Sequence, residues 1–320
     1  MIKFDKPMEK GLDSIEGRDE LKYAMAVAVA GRHNIMFWGK PGCGKTMLLQ
    51  RMQDLLPLLT DEELDSVKRI YALYGFPKEY VDKIYLRPFR MPHQSATLEG
   101  MLGGGKDCKP GEISLAHNGV LFLDEAAEFR ASVLQAIRIP IENKQIALSR
   151  AGRTTIYPAK FQLAMATNPC PCGNYGSSDR VCLCSAKAIE QYWKKFSAPL
   201  YDAMTVRMRA DEADVSPVFY TLEELREFIS DAWEAQFERQ GCLNADLNAE
   251  GIHKYIKMDK YAEARWARVG LERELTGREE LDLLRLARTI ADMHGNPAEL
   301  CELHICRALH LHHKVPVDII

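Results

Sequence analysis

The segment Gly39-Lys40-Pro41-Gly42-Cys43-Gly44-Lys45-Thr46 satisfies the pattern GxxxxGK[ST] at every fixed position. That spacing suits the capture of a polyphosphate. Glycines let successive backbone N–H groups curl around an anion, the lysine neutralises β and γ oxygens, and the hydroxyl after it ligates magnesium. Gly39, Pro41, Gly42, Cys43, Gly44, Lys45 and Thr46 are therefore candidate contacts to ATP, with Thr46 also on Mg2+. A plain glycine-rich turn is the competing reading. The loop, however, falls between the apolar run Ile35-Met36-Phe37-Trp38 and the helical Met47-Leu48-Leu49-Gln50-Arg51-Met52, which is the strand-to-helix setting this chemistry needs.

A second apolar run, Leu121-Phe122-Leu123, ends in Asp124 and Glu125. Phosphoryl transfer uses such a pair, the first acid holding magnesium through water and the second polarising the attacking water. Asp124 takes the metal role and Glu125 the base role. Acidic pairs also end strands as simple surface turns, and it is the phosphate loop upstream that favours the catalytic reading. A third run, Phe161 to Ala166, ends at Thr167-Asn168. Asn168 is placed either to orient the same water or to make an ordinary turn before Pro169.

Four of the nine cysteines follow at once, Cys170, Cys172, Cys182 and Cys184, with spacing C-x-C-x9-C-x-C. Four thiolates in one loop can close a tetrahedral Zn2+ site. Both pairs are tighter than the usual C-x2-4-C, and four plain thiols are the alternative. Between the second and third runs, Asn143 to Tyr157 alternates on both sides of Ala151-Gly152, a hairpin signal. Lys144, Arg150 and Arg153 there suit a phosphate backbone such as DNA, while a solvated hairpin or a subunit contact is equally economical.

These residues need a scaffold that brings strand ends together. The chain of 320 residues is 47% hydrophobic and 27% charged, a globular composition. At about 100–200 residues per domain, it suits two domains or one with an appendage. A formal charge of −3 excludes coating nucleic acid through bulk positive field, so any nucleic-acid site must be local. An odd number of cysteines without an export signal argues against a disulfide framework. No apolar run long enough for a membrane span is found, and a cytoplasmic protein without membrane partners is expected.

Short apolar runs ending in polar residues read as buried parallel strands separated by helices, with ligands at their carboxyl ends. From about Thr221, helical spacing takes over at Leu222, Leu225, Phe228, Ile229 and Trp233. Thr276 and Glu279 form a capping box ahead of Leu281, Leu284, Leu286 and Ile290. The expected fold is an α/β core, a parallel sheet flanked by helices, over 1–212, followed by an all-helical unit over 213–320. The boundary is placed between Ala210 and Pro217. The histidines at 93, 117, 304, 310, 312 and 313 show no ligand spacing and read as core or surface residues.

Together with Arg87 to His93, Gly103-Gly104-Gly105, Pro110 to Gly119 and Asn168-Pro169-Cys170-Pro171-Cys172-Gly173, these residues resemble the magnesium-chelatase-like AAA+ ATPases of the YifB/ComM type. The resemblance runs from about Ile15 to His294. It implies an AAA+ P-loop core, with a helix-2 insertion near 98–110, a pre-sensor hairpin at 144–158 and a Cys-rich loop at 168–186. A helical lid follows. It also implies ATP and Mg2+ as cofactors and a homo-oligomeric ring, expected to be a hexamer, with ATP at subunit boundaries. Arg278 falls on the lid arginine called sensor 2. The Lon-protease-like domain of full-length members has no counterpart in this sequence, so a stand-alone motor module is expected.

One position departs from the family pattern. In Ser197 to Thr205, Ala203 stands where the family carries its arginine finger. A finger is worth about three to five orders of magnitude in rate. Slow hydrolysis or a substitute is expected, and Arg207 and Arg209, at alternate positions of an extended segment, share one face that reads most simply as exposed. Three functions follow: a ring ATPase remodelling DNA, as the resemblance implies for branched intermediates; a chelatase-type motor acting on a protein partner; or a nucleotide-gated scaffold with slow turnover.

Overall fold

The computed structural model describes residues 2–8, 11–150, 153–212 and 218–314. The expected domain boundary between 212 and 213 therefore meets residues outside this description. Two compact units result. One is built from the chain up to Phe37, the segment Gln50–Leu56 and the chain from Met204 onward; the other is Trp38–Leu49 with Pro57–Ala203.

The strands in chain order are β1 (Ile35–Trp38), β2 (Phe89–Arg90), β3 (Gly103–Gly104), β4 (Lys109–Pro110), β5 (Val120–Leu123), β6 (Gln145–Arg150), β7 (Arg153–Pro158), β8 (Gln162–Thr167) and β9 (Val206–Arg209). Five of them form one sheet in the order β2-β5-β8-β1-β9. Its β2/β5 and β5/β8 pairs are parallel, with Phe89 opposite Val120 and Leu123 opposite Met165. The three apolar runs read from the sequence are thus adjacent strands β5, β8 and β1. Every residue of these three strands is buried, as expected for strands covered by helices on both faces.

In the unit that contains β5 and β8, the helix Ala131–Asn143 leads into the antiparallel hairpin β6/β7, whose register pairs Arg150 with Arg153. The hairpin tip Ala151-Gly152 lies outside the described residues. The stretch 98–110 forms the helix Leu98–Leu102 and the short antiparallel pair β3/β4. Arg87 fixes the entry to β2, its guanidinium donating to the carbonyls of Pro57 at 2.8 Å and Asn118 at 2.8 Å and to Glu63 at 2.6 Å.

In the other unit, the helix Asp19–Gly31 is rich in alanine and valine and buried on nearly every face, so it packs as a central rod. The helices Leu222–Gln240 and Gly277–Met293 lie against it. Trp233 and Gln236 donate to the carbonyls at its C-terminal end, Val29 at 3.2 Å and Ala30 at 3.0 Å, satisfying acceptors a helix end leaves open. Capping boxes start both flanking helices, at Thr221/Glu224 and Thr276/Glu279. The C-terminal region is helical through Glu302–His310.

Candidate functional site

Each of the three central strands delivers polar residues at its carboxyl end. After β1 the chain turns through Gly42 and Gly44 at φ 79° and 93°, a left-handed conformation that side chains with a Cβ resist. A Cβ on Gly42 would meet nothing within 4 Å, so the loop presents open backbone there. Lys45 follows, buried, its ammonium donating to the carbonyls of Gly39 at 2.7 Å and Lys40 at 3.0 Å and to Asn168 Oδ1 at 3.3 Å. All three acceptors are neutral. An ionised phosphate oxygen is a stronger partner for an ammonium than a neutral carbonyl, so this donor set fits a polyphosphate.

After β5, Thr46 Oγ1 donates to Asp124 Oδ1 at 2.8 Å, and the Glu125 backbone N–H donates to the same oxygen at 3.0 Å. A hydroxyl and a half-buried carboxylate in contact are the hard oxygen donors that suit magnesium. Glu125 is exposed and takes φ 48° without being glycine. Such a backbone conformation costs about 1–3 kcal/mol and persists where surrounding structure enforces it, commonly at active sites. After β8 comes Asn168, joined to the lysine as described. The structure therefore brings these residues together as two hydrogen-bonded pairs, Lys45–Asn168 and Thr46–Asp124, joined because Lys45 and Thr46 are consecutive, with Glu125 next to Asp124 in the chain. The direct Lys45–Asn168 contact had no signal in the sequence beyond both residues lying past the carboxyl ends of apolar runs.

Two residues from Asn168 the cysteine loop begins. The sulfurs of Cys170, Cys172, Cys182 and Cys184 all lie within 4.8 Å of one another, and all four are free thiols. Backbone N–H groups of Asn174 and Leu183 hold the Cys172 thiol down, which favours its thiolate, whereas burial and the neighbouring sulfurs push Cys182 and Cys184 up against a backbone hydrogen bond at each.

Other singled-out residues stand apart. Ala203, where the resemblance leads one to expect an arginine, is only 6% exposed. Arg207 corrects the sequence reading of an exposed strand face: it is wholly buried, donating to Glu279 Oε1 at 3.1 Å and to His312 Nε2. Arg209 pairs with Asp211 at 3.0 Å. Arg278 is the second residue of the helix Gly277–Met293 and half-buried. Lys144 caps the helix Ala131–Asn143 at φ 57°, at the base of the hairpin.

The sheet order, the phosphate loop and the helical C-terminal region define a protein of the AAA+ class. Residues 11–217 match the family described as magnesium chelatase, subunit ChlI, and residues 221–312 match its ChlI C-terminal family, so the chain belongs to the magnesium chelatase family. It is 37% identical over 319 residues to the competence protein ComM of Haemophilus influenzae, covering 96% of this chain and 61% of that protein. To the uncharacterized protein YifB of Escherichia coli it is 38% identical over 297 residues, 90% of this chain and 58% of the other. The magnesium-chelatase subunit ChlI of Porphyra purpurea is 24% identical over 181 residues. The chain thus spans about three fifths of the length of its ComM and YifB relatives, 61% and 58%. No helix among the described residues is long and apolar enough to cross a membrane.

Proposed function

We propose that the chain is a ring-forming ATPase that couples ATP binding and hydrolysis to the remodelling of DNA. One observation carries the ATPase reading: past three neighbouring strand ends, consecutive residues of the phosphate loop reach the other two, Lys45 bonding Asn168 and Thr46 bonding Asp124. ATP supplies the anhydride that is cleaved, and Mg2+ neutralises the charge on its phosphates. Of the protein's own residues, Gly39 to Gly44 would cradle the phosphates with backbone N–H groups and Lys45 would hold the β and γ oxygens. Thr46 and Asp124 would hold the metal. Glu125 accepts the proton of the attacking water, Asn168 orients that water, and Arg278 acts as the lid arginine on the nucleotide. Zn2+ on Cys170, Cys172, Cys182 and Cys184 completes the cofactor set.

The DNA target is supported by the basic positions Lys144, Arg150 and Arg153 on a hairpin of paired strands, and by a relative named for competence. Self-assembly, taken in this reading as a hexameric ring, is supported by membership of the family. A slow-turnover scaffold is favoured by Ala203 at the finger position, since neither nearby arginine is a ready substitute: Arg207 is buried in an ion pair and Arg209 is paired with Asp211. A motor for a protein partner is favoured by the chelatase family itself.

Turnover measured with no nucleic acid, with single-stranded DNA and with forked DNA, beside sizing with a non-hydrolysable ATP analogue, separates the three. Stimulation by DNA in a nucleotide-stabilised ring supports the first reading; tight binding without turnover under any condition replaces it with the scaffold. Glu125→Gln is expected to keep nucleotide affinity and lose about 10²–10⁴ in turnover, the usual contribution of a general base. Lys45→Ala is expected to lose nucleotide binding by calorimetry, and unchanged affinity would remove the phosphate-loop assignment.

A further inference from the structure

The cysteine loop is joined to the phosphate loop as well as to itself. Three sulfur separations are 3.4 Å for Cys170–Cys172, 3.7 Å for Cys170–Cys182 and 3.6 Å for Cys172–Cys182. A disulfide needs about 2.05 Å. Thiolates at ~2.3 Å from a tetrahedral zinc stand ~3.8 Å apart, close to the separations seen. The Tyr175 backbone N–H donates to Cys170 Sγ at 3.4 Å, an outer-shell contact of the kind that orients a metal-bound sulfur.

Between the two cysteine pairs, the loop meets the phosphate loop at two points. Gly173, buried and at φ 78°, lies flat on Pro41: a Cβ there would stand 2.6 Å from both Pro41 Cγ and Cδ. Asp179 Oδ2 accepts from Lys40 Nζ at 2.6 Å. That ion pair is exposed, at 38% and 56% for its side chains, and is screened by solvent. It is too weak to hold a glycine- and serine-rich stretch in place by itself. A cross-link joining Cys170 and Cys172 to Cys182 and Cys184 would do so, because it ties both ends of the stretch that carries Gly173 and Asp179. The same cross-link begins two residues after Asn168, whose side chain accepts from Lys45.

We infer that a zinc ion on the four cysteines makes this loop a buttress for the phosphate loop, holding Pro41 and Lys40 in the conformation that takes nucleotide, so that zinc and nucleotide bind with positive coupling. The inference rests on the nucleotide reading of the phosphate loop. It carries a reciprocal consequence: the factor by which zinc tightens nucleotide binding equals the factor by which nucleotide tightens zinc.

The test uses the full chain. Metal analysis of purified protein is expected to give one zinc per chain. Affinity for a fluorescent ATP analogue is then measured on zinc-loaded protein, on chelator-stripped protein whose fold is checked by circular dichroism, and after zinc is returned. Stripping is expected to weaken binding at least about fivefold, the lower end of ordinary coupling, and re-addition to restore it. Transfer of zinc to a colorimetric chelator should slow by the same factor when a non-hydrolysable ATP analogue is present. Gly173→Ala, which would press a methyl group into Pro41 while leaving the sulfurs untouched, is expected to keep zinc and weaken nucleotide binding to a similar extent. This variant decides the matter if stripping unfolds the chain.

Absence of zinc both as purified and after titration overturns the metal site. Wild-type affinity in Gly173→Ala, or in folded zinc-free protein, overturns the coupling. Zinc-loaded protein that takes up no nucleotide at all leaves the metal content intact as a finding and overturns the nucleotide reading, and the coupling with it.

Discussion

Arg207 shows what a single side chain does when its partners lie far away in sequence. Its guanidinium is wholly buried and donates to Glu279, while His312 donates its Nδ1 proton to the carbonyl of Thr205 at 2.7 Å and leaves Nε2 to accept from the arginine. Burial pushes the Glu279 carboxyl up, but hydrogen bonds from the Thr276 backbone and the Arg207 guanidinium outweigh it and hold it below the usual carboxylate range. Removing one member of such a set leaves a charge buried without compensation, at a cost of about 3–5 kcal/mol. Arg207→Ala is therefore expected to lose that much stability in urea unfolding, with the folded fraction still binding nucleotide. A loss of turnover at unchanged stability would instead mark Arg207 as a substitute finger. Alternation along Val206–Arg209 placed this arginine on an open face, and the error is physical: periodicity reports which side a residue is on and nothing about a charged partner on a distant helix.

At the scale of elements, the strands that carry the site were readable because they are fully buried and therefore mostly apolar: Ile35–Trp38 coincides with the expected run, and Val120–Leu123 and Gln162–Thr167 differ from theirs by a residue at their ends. The edge strand Phe89–Arg90 was not readable, since two residues hold no period. The hairpin was legible from alternation alone, and its pairing from Gln145–Pro158 to Arg150–Arg153 follows that pattern residue by residue. Its basic positions supply the element-scale prediction. If Lys144, Arg150 and Arg153 follow a single-stranded backbone, each contact releases counterions, and the logarithm of affinity falls with the logarithm of salt by about 0.7 per phosphate contact. Replacing all three by glutamine is expected to flatten the salt slope of DNA binding by about two units and to abolish DNA stimulation while leaving nucleotide affinity unchanged. An unaltered slope in fluorescence titrations from low to moderate salt would assign the hairpin to a contact between subunits.

For the whole molecule, the class of fold was legible because strand ends, phosphate loop and capping signals agree with one another, and such consistency across levels is what a foldable sequence displays. The long-range polar cross-ties that fasten the helices were not, and they set how the fold responds to acid. His33, two residues past the helix Asp19–Gly31, is buried and shares a hydrogen bond of 2.8 Å with Thr289 Oγ1 on the helix Gly277–Met293. Burial, with Arg285 adding to it, pushes its imidazole down to about 3. In the unfolded chain the same group titrates near ~6.5. Between these values the unfolded state binds a proton that the native state refuses, so stability is fully present above pH ~6.5 and declines as the pH falls towards 3. Acidification to pH 5 spans ~1.5 units and removes about 2 kcal/mol through this histidine alone. Glu279 acts in the same direction at lower pH: its folded carboxyl is depressed, so its contribution is present above the unfolded value near ~4.3 and is lost as the pH drops through the folded one. Urea midpoints in the wild type are expected to hold from pH 7.5 to ~6.5 and to fall from there to 5, and His33→Gln should shallow that slope by nearly one proton. The same slope in both proteins would mean that His33 takes up its proton without opening the fold.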